Sequence, residues 1–130
     1  MMIDSKLLDE ISSKAKTNER LRMNFNLHDS LDAKAQRMLN ALEIGTSLPV
    51  HRHKHTAETY LLIRGKLRVI FYNDKGVETD SFMLDLIAGD YGIHIPAEQW
   101  HTLEVLEKDS VIFEVKDGPY IPLESDDIMH

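Results

Sequence analysis

Gly45-Thr46-Ser47-Leu48-Pro49-Val50-His51-Arg52-His53-Lys54-His55-Thr56-Ala57-Glu58, followed at a distance by Gly65, is the stretch on which the reading of this chain turns. His51 and His53 alternate, so on an extended strand both imidazoles point to one face, about 6–7 Å apart along the chain. One metal ion can accept both. Glu58 follows after four residues, room for a turn that returns a carboxylate to the same face. That completes a two-histidine, one-carboxylate set with coordination positions left open. After four further β-like runs Trp100-His101 supplies another imidazole, which closes a fourth protein position and ties two distant parts of the chain through the metal. His55 extends the alternation but falls where the chain must turn toward Glu58, so it is assigned to solvent.

Composition narrows the alternatives. A chain of 130 residues fits one domain. There is no cysteine, which excludes disulfides and thiolate ligands and leaves histidine and carboxylate as the strong metal ligands. Twenty-two acidic against fifteen basic residues give a net charge of −7, which repels phosphate backbones and anionic membranes, so neither nucleic acid nor membrane is an expected partner. The charged N-terminus, with Asp4, Lys6, Asp9 and Glu10, does not read as a signal peptide, and no later run approaches the ~20 apolar residues of a membrane span. The expected location is the cytoplasm.

Outward from the histidines the periodicity is mainly that of strands. Leu7, Leu8, Ile11 and Ala15 follow a helical period with Asp4 placed to cap it. Leu21, Met23, Phe25 and Leu27 then alternate with Arg22, Asn24, Asn26 and His28, the pattern of a half-buried strand. Asp32 to Leu42 is ambiguous, because Ala33, Ala35, Met38, Leu39 and Leu42 favour a helix by propensity. From Gly45 onward short β-rich runs recur between turn signals: Thr59 to Tyr72, Val77 to Leu86, Tyr91 to Ile95, His101 to Leu106 and Val111 to Lys116. Such a series implies a barrel or sandwich. The polar, acidic end of the chain is expected to be loosely held, with no chemistry of its own. The organisation expected is a helix and strand over residues 1–30 packed on a barrel of residues 31–120, then a tail of residues 121–130, one domain overall.

The spacing Gly45, five residues, His51, one residue, His53, four residues, Glu58, six residues, Gly65 resembles the first sequence motif of the cupins without a mismatch. Gly89, Pro96 and His101 resemble the second, with one residue more than usual between Gly89 and Pro96, and with Glu98 where glycine is common. Over nearly its full length the chain is similar to the small WbuC-type cupin-fold metalloproteins found with bacterial surface-polysaccharide genes. That similarity rests on Arg22-Met23-Asn24-Phe25-Asn26-Leu27-His28, Gln36-Arg37-Met38-Leu39-Asn40-Ala41-Leu42, Ile95-Pro96-Ala97, Trp100-His101-Thr102 and Phe113-Glu114-Val115-Lys116-Asp117-Gly118-Pro119-Tyr120. The resemblance implies an all-β fold, a double-stranded β-helix or jelly-roll barrel with a short N-terminal α-helix. It makes Arg37 to Ile44 a strand and suggests a metal held by three histidines and a glutamate. It implies no agreed reaction.

A metal bound by His51, His53, Glu58 and His101 keeps one or two positions for water or substrate and can polarise a carbonyl or activate a water. Zn²⁺, Fe²⁺, Mn²⁺, Ni²⁺ and Co²⁺ all suit these ligands. The first expectation is an enzyme acting on a small polar or sugar-derived molecule in polysaccharide metabolism, of isomerase, epimerase or oxygenase type, the substrate class coming from the resemblance. The alternative is a metal-stabilised binding or sensing module without turnover. An inward acid or base separates the two; His94 and Tyr60 are the candidate catalytic groups, the former as a proton carrier, the latter sharing the metal-facing side of its strand. Trp100 is read as packing, and Arg22, Asn24, Asn26 and His28 by default as a solvated outer face, with an anion- or sugar-binding face as the alternative. Arg64, Arg68, Glu114 and Lys116 are left without an assigned direction. A homodimer formed through strand edges or the N-terminal segment is expected.

Overall fold

Helix α1 (Ser5–Thr17) begins where Asp4 accepts a hydrogen bond from the Leu7 amide at 3.0 Å, a cap worth about 1 kcal/mol. Eight strands follow: β1 (Arg22–Asn26), β2 (Ala35–Leu42), β3 (Glu58–Arg64), β4 (Lys66–Tyr72), β5 (Glu78–Asp85), β6 (Gly92–Ile95), β7 (Trp100–Val105) and β8 (Ser110–Asp117). This is a computed structural model describing residues 1–130. The strands form two antiparallel sheets, one ordered β1-β2-β8-β3-β6 and one ordered β5-β4-β7. The main core lies between them, with Leu42, Tyr60, Leu62, Ile95 and Ile112 from the larger sheet meeting Leu67, Val69, Leu84, Leu103 and Val105 from the smaller. No helix is long and apolar enough to cross a membrane.

The ambiguous segment is β2, and the reason for its ambiguity is physical. Paired with β1 on one side and β8 on the other, it is covered on both faces. Leu39 and Ala41 pack beneath α1 with Leu8, Ile11, Ala15 and Val111, while Met38, Asn40 and Leu42 line a cavity inside the sandwich. A strand buried on both faces loses its alternation and is easily read as a helix. The same division holds in β1, where Met23 and Phe25 pack toward α1. Arg22, half-buried, and Asn24, exposed at the cavity rim, therefore stand on the cavity side, not on the outer face expected by default. His28 is also buried, its Nδ1 accepting from the Arg37 amide at 3.1 Å.

The expectation of a loosely held tail is corrected. The amide of Met129 donates to the Val50 carbonyl at 2.8 Å, and the amide of Arg52 donates to the Asp127 carbonyl at 3.0 Å. Lys54 reaches Asp126 at 2.8 Å and Asp127 at 3.2 Å, and Asp127 is buried. Composition hid this because the polar residues are used in pairing with the histidine-bearing segment.

Gly65 joins β3 to β4 with φ +93°, and a Cβ there would sit 2.6 Å from the Ser110 Cα. Backbone cannot give way as a flexible side-chain tip does. Gly65→Ala is expected to cost about 2 kcal/mol or more, measured as a lowered midpoint in urea unfolding; an unchanged midpoint would show that the β3–β4 turn does not constrain the barrel.

Candidate functional site

Glu58 and Tyr60 lie on the inner face of β3, and His101 on β7 faces them across the sandwich. His51 and His53 are not on a regular strand. His51 makes isolated bridges to His101 and Ile128, and its segment is held between β7 and the C-terminal tail. The backbone amide of His51 donates to the His101 carbonyl at 3.0 Å, and the His101 amide returns a bond at 2.9 Å. The rings consequently converge, with centroids 4.4 Å apart for His51 and His101, 5.4 Å for His51 and His53, and 6.3 Å for His53 and His101. Two of the sequence-derived imidazoles meet the carboxylate, His53 Nε2 lying 2.6 Å from Glu58 Oε1 and His101 Nε2 3.3 Å from Glu58 Oε2, and the His51 ring lies beside that of His101.

Two of the imidazoles are oriented by backbone carbonyls. Nδ1 of His51 is 2.9 Å from the Pro49 carbonyl, and Nδ1 of His101 is 2.9 Å from the Gln99 carbonyl. A carbonyl only accepts, so each Nδ1 carries a proton and each neutral ring presents the Nε2 lone pair. His101 Nε2 is buried with no hydrogen-bond partner, its neighbour being a carboxylate oxygen. Lone pair against carboxylate is repulsive unless a cation, either a proton or a metal ion, stands between them. On this ground the donor set fits a divalent transition metal, which takes imidazole and carboxylate together.

Electrostatics agree. Burial, reinforced by His101, pushes His51 down to about 4, which keeps it neutral and in the ligand form at neutral pH. Burial alone would raise the Glu58 carboxyl, but the imidazoles of His101 and His53 beside it hold it well below the usual carboxylate range. Tyr60 donates its hydroxyl to Glu58 Oε2 at 2.9 Å. Burial, with Glu58 and Glu114 nearby, pushes the phenol well above its ordinary value. Tyr60 thus packs in the core and supports Glu58; its strand position alone had allowed both core packing and a hydroxyl presented to substrate.

His94 is corrected outright. It is exposed, opposite Thr59 in the β3–β6 register, with the Thr59 hydroxyl 3.0 Å from its Nδ1. Since Glu58 and Tyr60 point inward, Thr59 and its cross-strand partner point outward. The inward titratable group is Glu114 on β8, which with Lys116 lines the cavity. Asn40 Nδ2 donates to its Oε1 at 2.9 Å, and Lys116 Nζ lies 3.6 Å from its Oε2. Burial and the Glu58 charge push this carboxyl up to about 7. Sequence reasoning left Glu114 undirected because β8 is buried on both faces; its spacing of two from Ile112 and Lys116 was the usable signal.

The remaining candidates sort by contact. Trp100 packs, with its indole donating to Asp74 at 3.0 Å and the Arg52 guanidinium 4.5 Å above its ring. Arg64 pairs with Asp9 of α1 and Arg68 with Glu104. His55 is exposed, as expected. Glu98 adopts φ +69°, the left-handed region that favours glycine, and its amide donates to the His53 carbonyl at 2.7 Å. The loop therefore keeps a glycine-like shape without glycine. A cavity of about 300 Å³ opens beside the donors. A second, of about 160 Å³ under the tail, shares His53, Lys116 and Tyr120 with it.

A family model described as Domain of unknown function (DUF6016) matches residues 3–84. The chain belongs to this family. No curated protein matches this DUF6016 chain. Its fold is that of the cupins. The Schizosaccharomyces pombe Cnp3 cupin domain is similar with a TM-score of 0.60 at 13% identity, over 76% of this chain and 66% of that one. KdgF from Halomonas sp. is similar with a TM-score of 0.58 at 13% identity, over 78% and 82%. The capsular polysaccharide assembling protein CapF from Staphylococcus aureus gives a TM-score of 0.65 at 17% identity, over 87% of this chain but only 30% of CapF.

Glu114 yields a pH prediction. Its folded value is raised above that of the unfolded chain, so the stability it contributes falls as pH rises from about 4.5 through about 7. His51, lowered to about 4, works in the opposite sense below about 6.5 and is common to both proteins compared. In metal-free protein the Tm of Glu114→Gln relative to the native chain should therefore climb between about pH 5 and pH 8; a constant difference across that range would place Glu114 in water.

Proposed function

We propose that this DUF6016 protein binds one divalent transition metal through His51, His53, Glu58 and His101 and acts on a small polar, sugar-derived molecule held in the adjoining cavity. The observation that carries this reading is the buried, partnerless Nε2 of His101 beside the Glu58 carboxylate, with its Nδ1 proton committed to the Gln99 carbonyl. A bound metal would supply Lewis acidity toward a carbonyl or a bound water. Zn²⁺, Fe²⁺, Mn²⁺ and Ni²⁺ all suit this donor chemistry.

The chain's own residues contribute the rest. Pro49 and Gln99 fix two rings, Tyr60 holds Glu58 in one rotamer, and Lys116, 3.8 Å from Glu58 Oε1, adds positive charge beside the carboxylates. Glu114, with a carboxyl near neutrality, is suited to hold or release a proton at Oε2 inside the cavity. This inward acid supports an enzyme over the alternative of a metal-stabilised binding module, and it takes the place assigned to His94. Isomerase or epimerase chemistry needs such a proton carrier and is favoured over an oxygenase reaction. A link to polysaccharide metabolism is supported by the WbuC-type sequence resemblance and by the similarity to CapF, a capsular polysaccharide assembling protein.

Elemental mass spectrometry on protein purified without a histidine tag tests the metal. The native chain should carry about one metal ion, and His51→Ala and Glu58→Ala should each lose it. No metal in the native chain, even after reconstitution, would end the metalloprotein reading.

A further inference from the structure

Seven Lys and Arg side chains are half-buried: Arg22, Arg52, Lys54, Arg64, Lys66, Arg68 and Lys116. Six of them have a carboxylate within 4 Å. Arg22 is the exception. Its Nη1 donates to the Ser47 carbonyl at 3.1 Å and reaches the Thr46 hydroxyl at 3.4 Å, both neutral. Its Nε and Nη2 have no protein partner, although Arg22 lines the same cavity as His51, His53 and Glu58. A partly desolvated cation without an anion is unfavourable, and the Nε–Nη2 edge of a guanidinium is the fork that grips a carboxylate or phosphate in two parallel hydrogen bonds.

We infer that Arg22 is the anchor for an oxyanion on the ligand of this cavity, so that the substrate is a hydroxylated small acid with its charged group at β1 and its hydroxyl or carbonyl oxygens toward the histidines. Asn24 and Asn40 face each other in the β1–β2 register and both line the cavity. Asn40 is committed to Glu114, whereas Asn24, exposed at the cavity mouth, offers both a donor and an acceptor to a sugar hydroxyl. The cavity volume of about 300 Å³ has room for a monosaccharide-sized acid. This specificity rests on the proposed small-molecule function, but the binding it predicts is read independently of turnover and of metal content.

The probes are D-glucuronate, D-glucose 6-phosphate and neutral D-glucose, titrated into the full chain by ligand-observed NMR with bound metal measured in every sample. One of the two acids should bind about tenfold tighter than glucose or better, and which one identifies carboxylate or phosphate. Arg22→Gln should erase the preference while leaving metal content unchanged. Because Arg22 also braces the Ser47 loop, Asn24→Asp is the second variant. It leaves Arg22 in place, supplies the missing carboxylate from within, and should abolish acid binding with an unaltered Tm. Equal binding of acids and glucose, or a preference that survives both variants, overturns the assignment. Loss of metal from the native chain with acid binding intact would instead strike the metal reading alone.

Discussion

Two backbone hydrogen bonds between His51 and His101 hold together everything that makes this barrel a site. They join a segment without regular structure to the edge of the smaller sheet and bring two imidazoles within 4.4 Å. The same segment is bonded on its other side to the tail through Val50 and Arg52. His51 thus sits as the middle member of a short three-layer pairing, β7 on one side and Ile128 on the other. An irregular segment placed this way gains strand-like rigidity from its neighbours. Glu98 adds a third tether at the His53 carbonyl and accepts a left-handed backbone to make it.

Given that frame, the polar interior follows from electrostatics. Glu58, His101 and Glu114 are each buried among apolar residues, and charges in such surroundings persist only when compensated. Tyr60 and His53 satisfy part of Glu58, and Asn40 and Lys116 part of Glu114. The residual imbalance is distributed unevenly, with one acid kept ionised and the other held near neutrality. Two carboxyls in one cavity with values pushed apart is the arrangement by which a single pocket holds both a ligand for a cation and a carrier for a proton.

How far the chain could be read from its sequence depended on whether each strand had one buried face or two. The capped helix and the alternation of Leu21 to His28 were legible because one side of each meets the core and the other differs from it. The spacing of His51, His53, Glu58 and His101 was legible because ligand chemistry restricts residue type. Position along a strand, by contrast, does not say which side is the inside. His94 and Tyr60 were both two-residue readings; the register opposite Thr59 turned the first outward, and a hydrogen bond to Glu58 committed the second. Arg22 and Asn24 were obscured for a related reason. A polar strand face looks the same whether it meets bulk water or a wet cavity, and only the packing of Met23 and Phe25 under α1 distinguishes the two.

The two ends of the cavity differ in how much of the fold they are tied to. The donor cluster draws on β3, β7, the His51 segment and the tail, so its geometry depends on backbone pairing among several elements. Arg22 and Asn24 stand on β1, an edge strand with one neighbour, held from outside by the contacts of Met23 and Phe25 with α1. Inward-facing residues of such a strand can be exchanged with little loss of ladder or core, because the apolar face that anchors the strand lies on its other side. The recognition end of the pocket is therefore free to differ in charge and hydrogen bonding while the donor end stays fixed. On the proposed metal and anchor, one barrel could keep a single donor set and direct it at different small acids through two side chains on its edge.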